Sequence, residues 1–238
     1  MNRRSAKHAH KPSTPSHNWR KVRDAIENTG LQRAVRYLRA QIAERKRLLP
    51  IDHALCMGIH KKLFEKSPQY KSVAGKYRRC SVEITDTKHL PPPPELIPQL
   101  MLEFNRAVEE YEKLLSMTPR DDVRMPEYIA YGAAFIHHKL TWIHPFENGN
   151  GRVARAISAA FIEKHSWPFV NIDVLTKNED RYIAALKSAD SDNYQPLFKL
   201  IYEEMSACVT TEFASLMTAG VKVSKIPPIL RKVLKSRT

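Results

Sequence analysis

Residues 144–155 read His-Pro-Phe-Glu-Asn-Gly-Asn-Gly-Arg-Val-Ala-Arg, and the rest of the chain is best understood outward from this run. Before it, Ile129, Ala133, Ile136, Leu140 and Ile143 step by four, three, four and three residues, the spacing of a buried helix face. After it, residues 152–164 are rich in alanine and read as a second helix buried on most sides. The run is therefore a loop between two core helices. Gly149 and Gly151 tolerate dihedral angles that other residues avoid, leaving backbone N–H groups to face an anion at a helix N-terminus. Arg152 and Arg155 lie three apart and project from one helix face. His144, with an ordinary pKa near about 6.5, can accept a proton at neutral pH. These parts fit a site that holds a polyphosphate and deprotonates a hydroxyl beside it.

Elsewhere the pattern is helical. A short helix is expected from Trp19 to Asn28, broken at Thr29-Gly30, followed by a longer one carrying Leu31, Val35, Leu38 and Ile42 and closed by Pro50. Ala54, Leu55, Ile59 and Leu63 mark another helix, ending near Ser67-Pro68. A further helix starts near Glu95 with Ile97, Met101, Phe104 and Val108. Two more are expected over 178–188 and 196–216. The best strand candidate is 79–85, where Val82 and Ile84 alternate with polar residues. There is no internal repeat, so the expected fold is all-α with one short β element.

The composition sets limits on function. The formal net charge is +14, but basic residues from Arg3 to Lys21 precede the first acid, Asp24, and those from Lys222 to Arg237 follow the last, Glu212. The body is close to neutral, and the basicity belongs to the ends. Such tails can dock nucleic acid or an acidic partner by counterion release, although solvated termini explain them more simply. Cys56, Cys80 and Cys208 are isolated thiols without CxxC spacing, which argues against a zinc site and for a reducing compartment. No stretch is long and apolar enough to span a bilayer, and no hydrophobic segment follows the basic N-terminus, so a cytoplasmic location is expected.

The 144–155 run also resembles the signature of the Fic family, HPFx(D/E)GNGRxxR. Each fixed position is present except one: Asn148 stands where the family has an acidic metal ligand, with Glu147 in the variable slot before it. The resemblance extends over Ala74-Gly75-Lys76-Tyr77-Arg78, Val82-Glu83-Ile84, Met101, His137, and Tyr182 with Ala185-Leu186. It implies an all-α Fic-type helical bundle with a short β-hairpin flap. The division it suggests is a disordered basic tail (1–18), a helical arm (19–68), a core domain (69–205), and a helix end with a basic tail (206–238).

The activity implied by the resemblance is transfer of AMP from ATP to a Ser, Thr or Tyr hydroxyl of a protein. His144 would be the general base and Phe146 the apolar anchor of the loop. Gly149, Asn150 and Gly151 would cradle phosphates, with Asn150 also available to cap the following helix. Arg152 would neutralise charge during transfer and Arg155 would hold the γ-phosphate. A surface ion pair with Glu163 or Asp173 is the plainer alternative for either arginine. Mg²⁺ would fall to Asn148, whose amide oxygen is a weaker donor than a carboxylate. Val82, Glu83 and Ile84 would form the flap that pairs with the target, or else a hairpin that merely covers the core. Tyr182 is a candidate wall of the base pocket.

Upstream, Arg23-Asp24-Ala25-Ile26-Glu27-Asn28 resembles the family's inhibitory motif, (S/T)xxxE(G/N), with Arg23 replacing Ser/Thr. It implies that Glu27 clamps Arg155 and blocks the γ-phosphate position; an ordinary helix-end carboxylate is the alternative. Two further readings stay open: a Fic-fold enzyme transferring UMP, a phosphoryl group or phosphocholine, and a weakly active binding protein acting through its tails.

Overall fold

The computed structural model describes residues 17–45, 49–84, 89–119, 121–165, 167 and 178–218; for 17–28 and some residues near the end of the last helix it describes the backbone alone. Its described residues form seven α-helices around one core. None of these helices is long and apolar enough to cross a membrane.

The first helix, α1 (His17–Arg45), begins two residues before the expected start and passes through Thr29-Gly30 without a break. The expected break fails because Gly30 is a packing residue. A Cβ there would stand 2.2 Å from the backbone oxygen of Leu63, so the missing side chain lets α1 lie directly on α2 (His53–Phe64). Glycine costs a helix interior about 1 kcal/mol, and the close approach offsets it. Ala34, Leu38 and Ile42 continue the same face into the core. In α2, Asp52 caps the start by accepting from Leu55 N–H at 2.8 Å, and Leu55, Cys56, Ile59, His60, Leu63 and Phe64 form the buried stripe.

A 3-10 turn (Pro94–Leu96) leads into α3 (Ile97–Met117), with Ile97, Met101, Phe104, Val108 and Leu115 buried. The centre is α4 (Met125–Ile143), which carries the expected stripe and buries Ala130, Gly132 and Ala134 as well. These small residues admit α5 (Asn150–Lys164). Phe161 and Tyr111 fill the space where a Cβ of Gly132 would stand, and Ser158 donates to the Ala133 carbonyl at 3.2 Å. The pair is an αα-hairpin whose connection is 144–149. Finally α6 (Glu179–Ala189), capped by Asn178, and α7 (Gln195–Thr218) pack against each other and α4. The Trp167 indole joins α7 through the Met205 carbonyl at 3.1 Å.

The expected β element is corrected. Residues 81–84 are irregular, and there is no strand among the described residues; 85–88 lie outside them. The period-two pattern survives, with Ser81 and Glu83 exposed and Val82 and Ile84 half-buried. A strand also requires a partner to complete its ladder, and no described segment supplies one. The basic tails, 1–16 and 219–238, also lie outside the described residues.

Candidate active site

The loop between α4 and α5 starts at His144, which ends α4 in the left-handed conformation, φ 52° and ψ 57°. Its N–H still bonds to the Leu140 carbonyl at 3.1 Å, while its own side chain turns back to Thr141. A carbonyl oxygen only accepts, so the 3.2 Å contact between Nδ1 and Thr141 O places the proton on Nδ1. The lone pair is then on Nε2, the arrangement a general base requires. Burial, with Arg78 and His89 nearby, pushes the imidazole pKa down to about 4, against the Thr141 hydrogen bond. His144 is therefore neutral across the physiological range.

Two residues on, Phe146 is wholly buried. Its backbone is gripped by Asn150: the N–H donates to Asn150 Oδ1 and the carbonyl accepts from Nδ2, both at 2.8 Å. Asn150 does not cap α5, because Gly149 occupies the N-cap position, left-handed at φ 78°. Gly149 is needed there twice over, since a Cβ would also lie 2.6 Å from the Phe64 ring. The Asn148 side-chain oxygen accepts from Gly149 N–H at 2.6 Å, while Glu147 is exposed. The loop thus presents the first turn of α5, whose leading N–H groups have no acceptor within the helix.

Both arginines fold back toward this turn. The Arg152 guanidinium lies over the Phe64 ring, 4.9 Å from its centroid. A Cβ on Gly151 would stand 3.2 Å from an Arg155 terminal nitrogen. Arg155 also hydrogen-bonds to Tyr182, whose hydroxyl is 2.8 Å from Nε2 of the fully buried His137. Burial pushes the Tyr182 phenol up and His137 down to about 3, so both are neutral beside the cation. Tyr182 therefore stands behind Arg155, only 7% exposed. Glu163, one considered partner for the arginines, faces Arg39 of α1 instead; Asp173 lies outside the described residues.

Sequence reasoning assigned no role to two residues that hold the site together. His60, 1% exposed, accepts from Gly75 N–H at Nδ1 (2.8 Å) and reaches the Asn148 carbonyl with Nε2 (3.0 Å). Its ring stacks on Phe146 at 4.0 Å, and burial lowers its pKa to about 4. Arg78 donates to the carbonyl of His144 at 2.8 Å. The available signal for His60 was a histidine on an otherwise apolar helix stripe. For Arg78 it was an arginine directly preceding the strand candidate.

The fold thus brings together His144, Phe146, Asn148, Gly149, Asn150, Gly151, Arg152, Arg155 and Tyr182. Val82, Glu83 and Ile84 follow Cys80, whose carbonyl Arg78 also holds. Glu27 lies on α1, three residues before Gly30, and its side chain is outside what the structure describes.

Residues 50–162 match the model of the Fic/DOC family. A "Protein adenylyltransferase Fic" of Nematostella vectensis is 29% identical over 177 residues, covering 74% of this chain and 36% of that protein. The "Protein adenylyltransferase fic-1" of Caenorhabditis briggsae is 25% identical over 203 residues, covering 85% and 36%. The chain spans about a third of the length of these curated relatives. Among solved structures, a fragment of C. elegans Fic-1 superposes with a TM-score of 0.62 at 20% identity, covering 89% of this chain and 56% of that one. BepC of Bartonella tribocorum, with bound AMPPNP, superposes at 0.58 and 20% identity, covering 78% and 86%.

Proposed function

We propose that this chain, whose residues 50–162 match the model of the Fic/DOC family, transfers AMP from ATP to a Ser, Thr or Tyr hydroxyl of a protein. The observation that carries this is the 3.2 Å contact of His144 Nδ1 with the Thr141 carbonyl, which assigns the proton to Nδ1 and the lone pair to Nε2 in the loop that enters α5. The names of the curated relatives and the AMPPNP bound by BepC support the same chemistry.

In the proposed reaction the acceptor hydroxyl oxygen attacks the α-phosphorus. The bond from that phosphorus to the bridging oxygen breaks, and pyrophosphate leaves with the electron pair. Nε2 of His144 takes the hydroxyl proton. N–H groups of the first turn of α5 donate to the phosphate oxygens, Arg152 steadies the charge that builds during transfer, and Arg155 orients the γ-phosphate. Phe64 beneath Arg152 and Tyr182 beside Arg155 restrict both side chains in advance of binding.

A divalent ion fits this loop as a guest of the nucleotide. Phosphates would provide its charged ligands, and Asn148 Oδ1, a neutral oxygen now turned to Gly149 N–H, would be the protein donor. The ion would neutralise charge on the triphosphate.

The placement of α1 supports a reading in which the protein is regulated in cis. Gly30 rests on Leu63, next to Phe64, whose ring touches both Gly149 and Arg152. Glu27 is less than one turn away, so the start of the helical arm runs beside the phosphate end of the site, and Glu27 acts as a clamp on Arg155. The basic tails serve solubility or partner docking, and the three thiols suit the cytoplasm.

The deciding experiment is incubation with α-labelled against γ-labelled ATP, followed by mass analysis of the protein. AMP transfer leaves the α label and an adenosine monophosphate mass increment. Retention of the γ label points to phosphoryl transfer, and no label from either in both the parent and the Glu27→Gly protein removes the proposal.

A further inference from the structure

Arg78 is 2% exposed, and its guanidinium donates to main-chain carbonyls rather than to a carboxylate. Nε donates to His144 O at 2.8 Å, one terminal nitrogen to Cys80 O at 2.9 Å, and the other to Pro92 O at 2.6 Å. Its backbone N–H donates to Pro145 O at 2.9 Å. The three side-chain acceptors come from three separate places: the head of the segment with Val82 and Ile84, the proline run where that segment returns, and the left-handed residue that bears the base. A planar fork with fixed donor directions ties all three at once, which a lysine ammonium cannot reproduce.

We propose that Arg78 is a positioning residue that couples the segment beginning at Cys80 to the orientation of His144. The inference rests on the transfer reading above. A non-glycine residue at positive φ persists only where its surroundings hold it, and the bond from Arg78 to His144 O sets the peptide plane that follows the imidazole-bearing Cα. The same guanidinium draws the two ends of the 80–92 segment together, so an acceptor chain laid along Val82-Glu83-Ile84 meets a base whose direction is set by the same group. Displacing the segment disturbs the base, and releasing the base loosens the segment. The phosphate end of the site, by contrast, hangs on Asn150, His60 and Phe64, none of which Arg78 contacts in the bonds above.

That separation gives the test. Arg78→Lys and Arg78→Met are compared with the exposed neighbour variant Arg79→Lys, all in a Glu27→Gly background. Self-labelling from α-labelled ATP is followed alongside amide hydrogen exchange read by mass spectrometry. Expected for Arg78→Lys is a KM for ATP within about twofold of the parent and a kcat lowered about tenfold or more, the cost of misaligning reacting groups. Exchange rises together in 80–84, 89–90 and 140–146, while α2 and α5 keep their protection. Arg79→Lys changes neither quantity. The proposal is overturned if both Arg78 variants keep the parent kcat and exchange pattern. It is also overturned if KM, kcat and exchange in every helix shift together, the mark of general destabilisation. If the parent itself takes no label, the transfer reading is what has failed. The exchange pattern of Arg78→Lys then still decides whether the 80–92 segment and the His144 turn are coupled.

Discussion

Asn150 and Phe146 exchange two hydrogen bonds, each 2.8 Å long, between a side-chain amide and a backbone that lies four residues earlier. The pair closes the loop into a ring and lies almost wholly out of solvent. An amide is the only ordinary side-chain group that can donate and accept at these two points. Asn150→Asp should therefore unfold more easily in urea than the parent, by roughly 1–3 kcal/mol for the one orphaned carbonyl and more for the buried charge. An unchanged urea midpoint would show that the loop does not depend on this pair.

His144→Ala removes the proposed base while leaving the α5 N-terminus and both arginines in place. Label transfer from α-labelled ATP should fall about 10²–10⁴-fold. Nucleotide affinity, measured by calorimetry, should stay within several-fold. Transfer at the parent rate would eliminate His144 as the base.

Glu27→Gly should raise self-labelling well above the parent if Glu27 occupies the γ-phosphate position and neutralises Arg155. Arg155→Ala should cancel the gain, because the freed arginine is what orients the triphosphate. Equal labelling in Glu27→Gly and the parent would leave α1 with a packing role alone.

Asn148→Asp adds a charge where the structure has a neutral oxygen bonded to Gly149 N–H. In a Glu27→Gly background the aspartate variant should reach half-maximal rate at lower Mg²⁺ than the asparagine protein. A titration in which asparagine needs the same or less Mg²⁺ would mean that Asn148 is not a compromised ligand.

Stability should depend on pH through buried neutral histidines. His60 and His144 are held near about 4 and His137 near about 3, with His138 also lowered, all chiefly by burial. In the unfolded chain each titrates near about 6.5. Above that value neither state is protonated and these groups contribute no slope. Below it the unfolded chain binds more protons, so stability falls with pH from about 6.5 toward 4. The melting temperature should be flat from about pH 7 to 8 and decline below about 6.5. His60→Gln, with one fewer buried imidazole, should decline less steeply from about pH 6.5 to 5, a window above the ordinary carboxylate range. A flat profile across that window would contradict the low folded-state pKa values.

What the chain determines by itself is local and periodic. The stripe of Ile129, Ala133, Ile136, Leu140 and Ile143 specifies α4, and the small residues of 144–155 specify a loop entering a helix N-terminus. Spacing of three puts Arg152 and Arg155 on one side of α5. These are consequences of helix period and of backbone freedom at glycine, so they are readable without any long-range contact. The tertiary structure decided everything that depends on a distant neighbour. Gly30 reads as a helix breaker until Leu63 is seen against it, and residues 79–85 read as a strand until a partner strand is seen to be lacking among the described residues. Asn150 reads as a cap until Gly149 takes that position and Phe146 claims the amide. His60 and Arg78 reach the loop from 88 and 66 residues away along the chain, toward Asn148 and His144. The low pKa of His144 depends on burial, which is a property of the packed volume around a group, and no local pattern in the sequence encodes it.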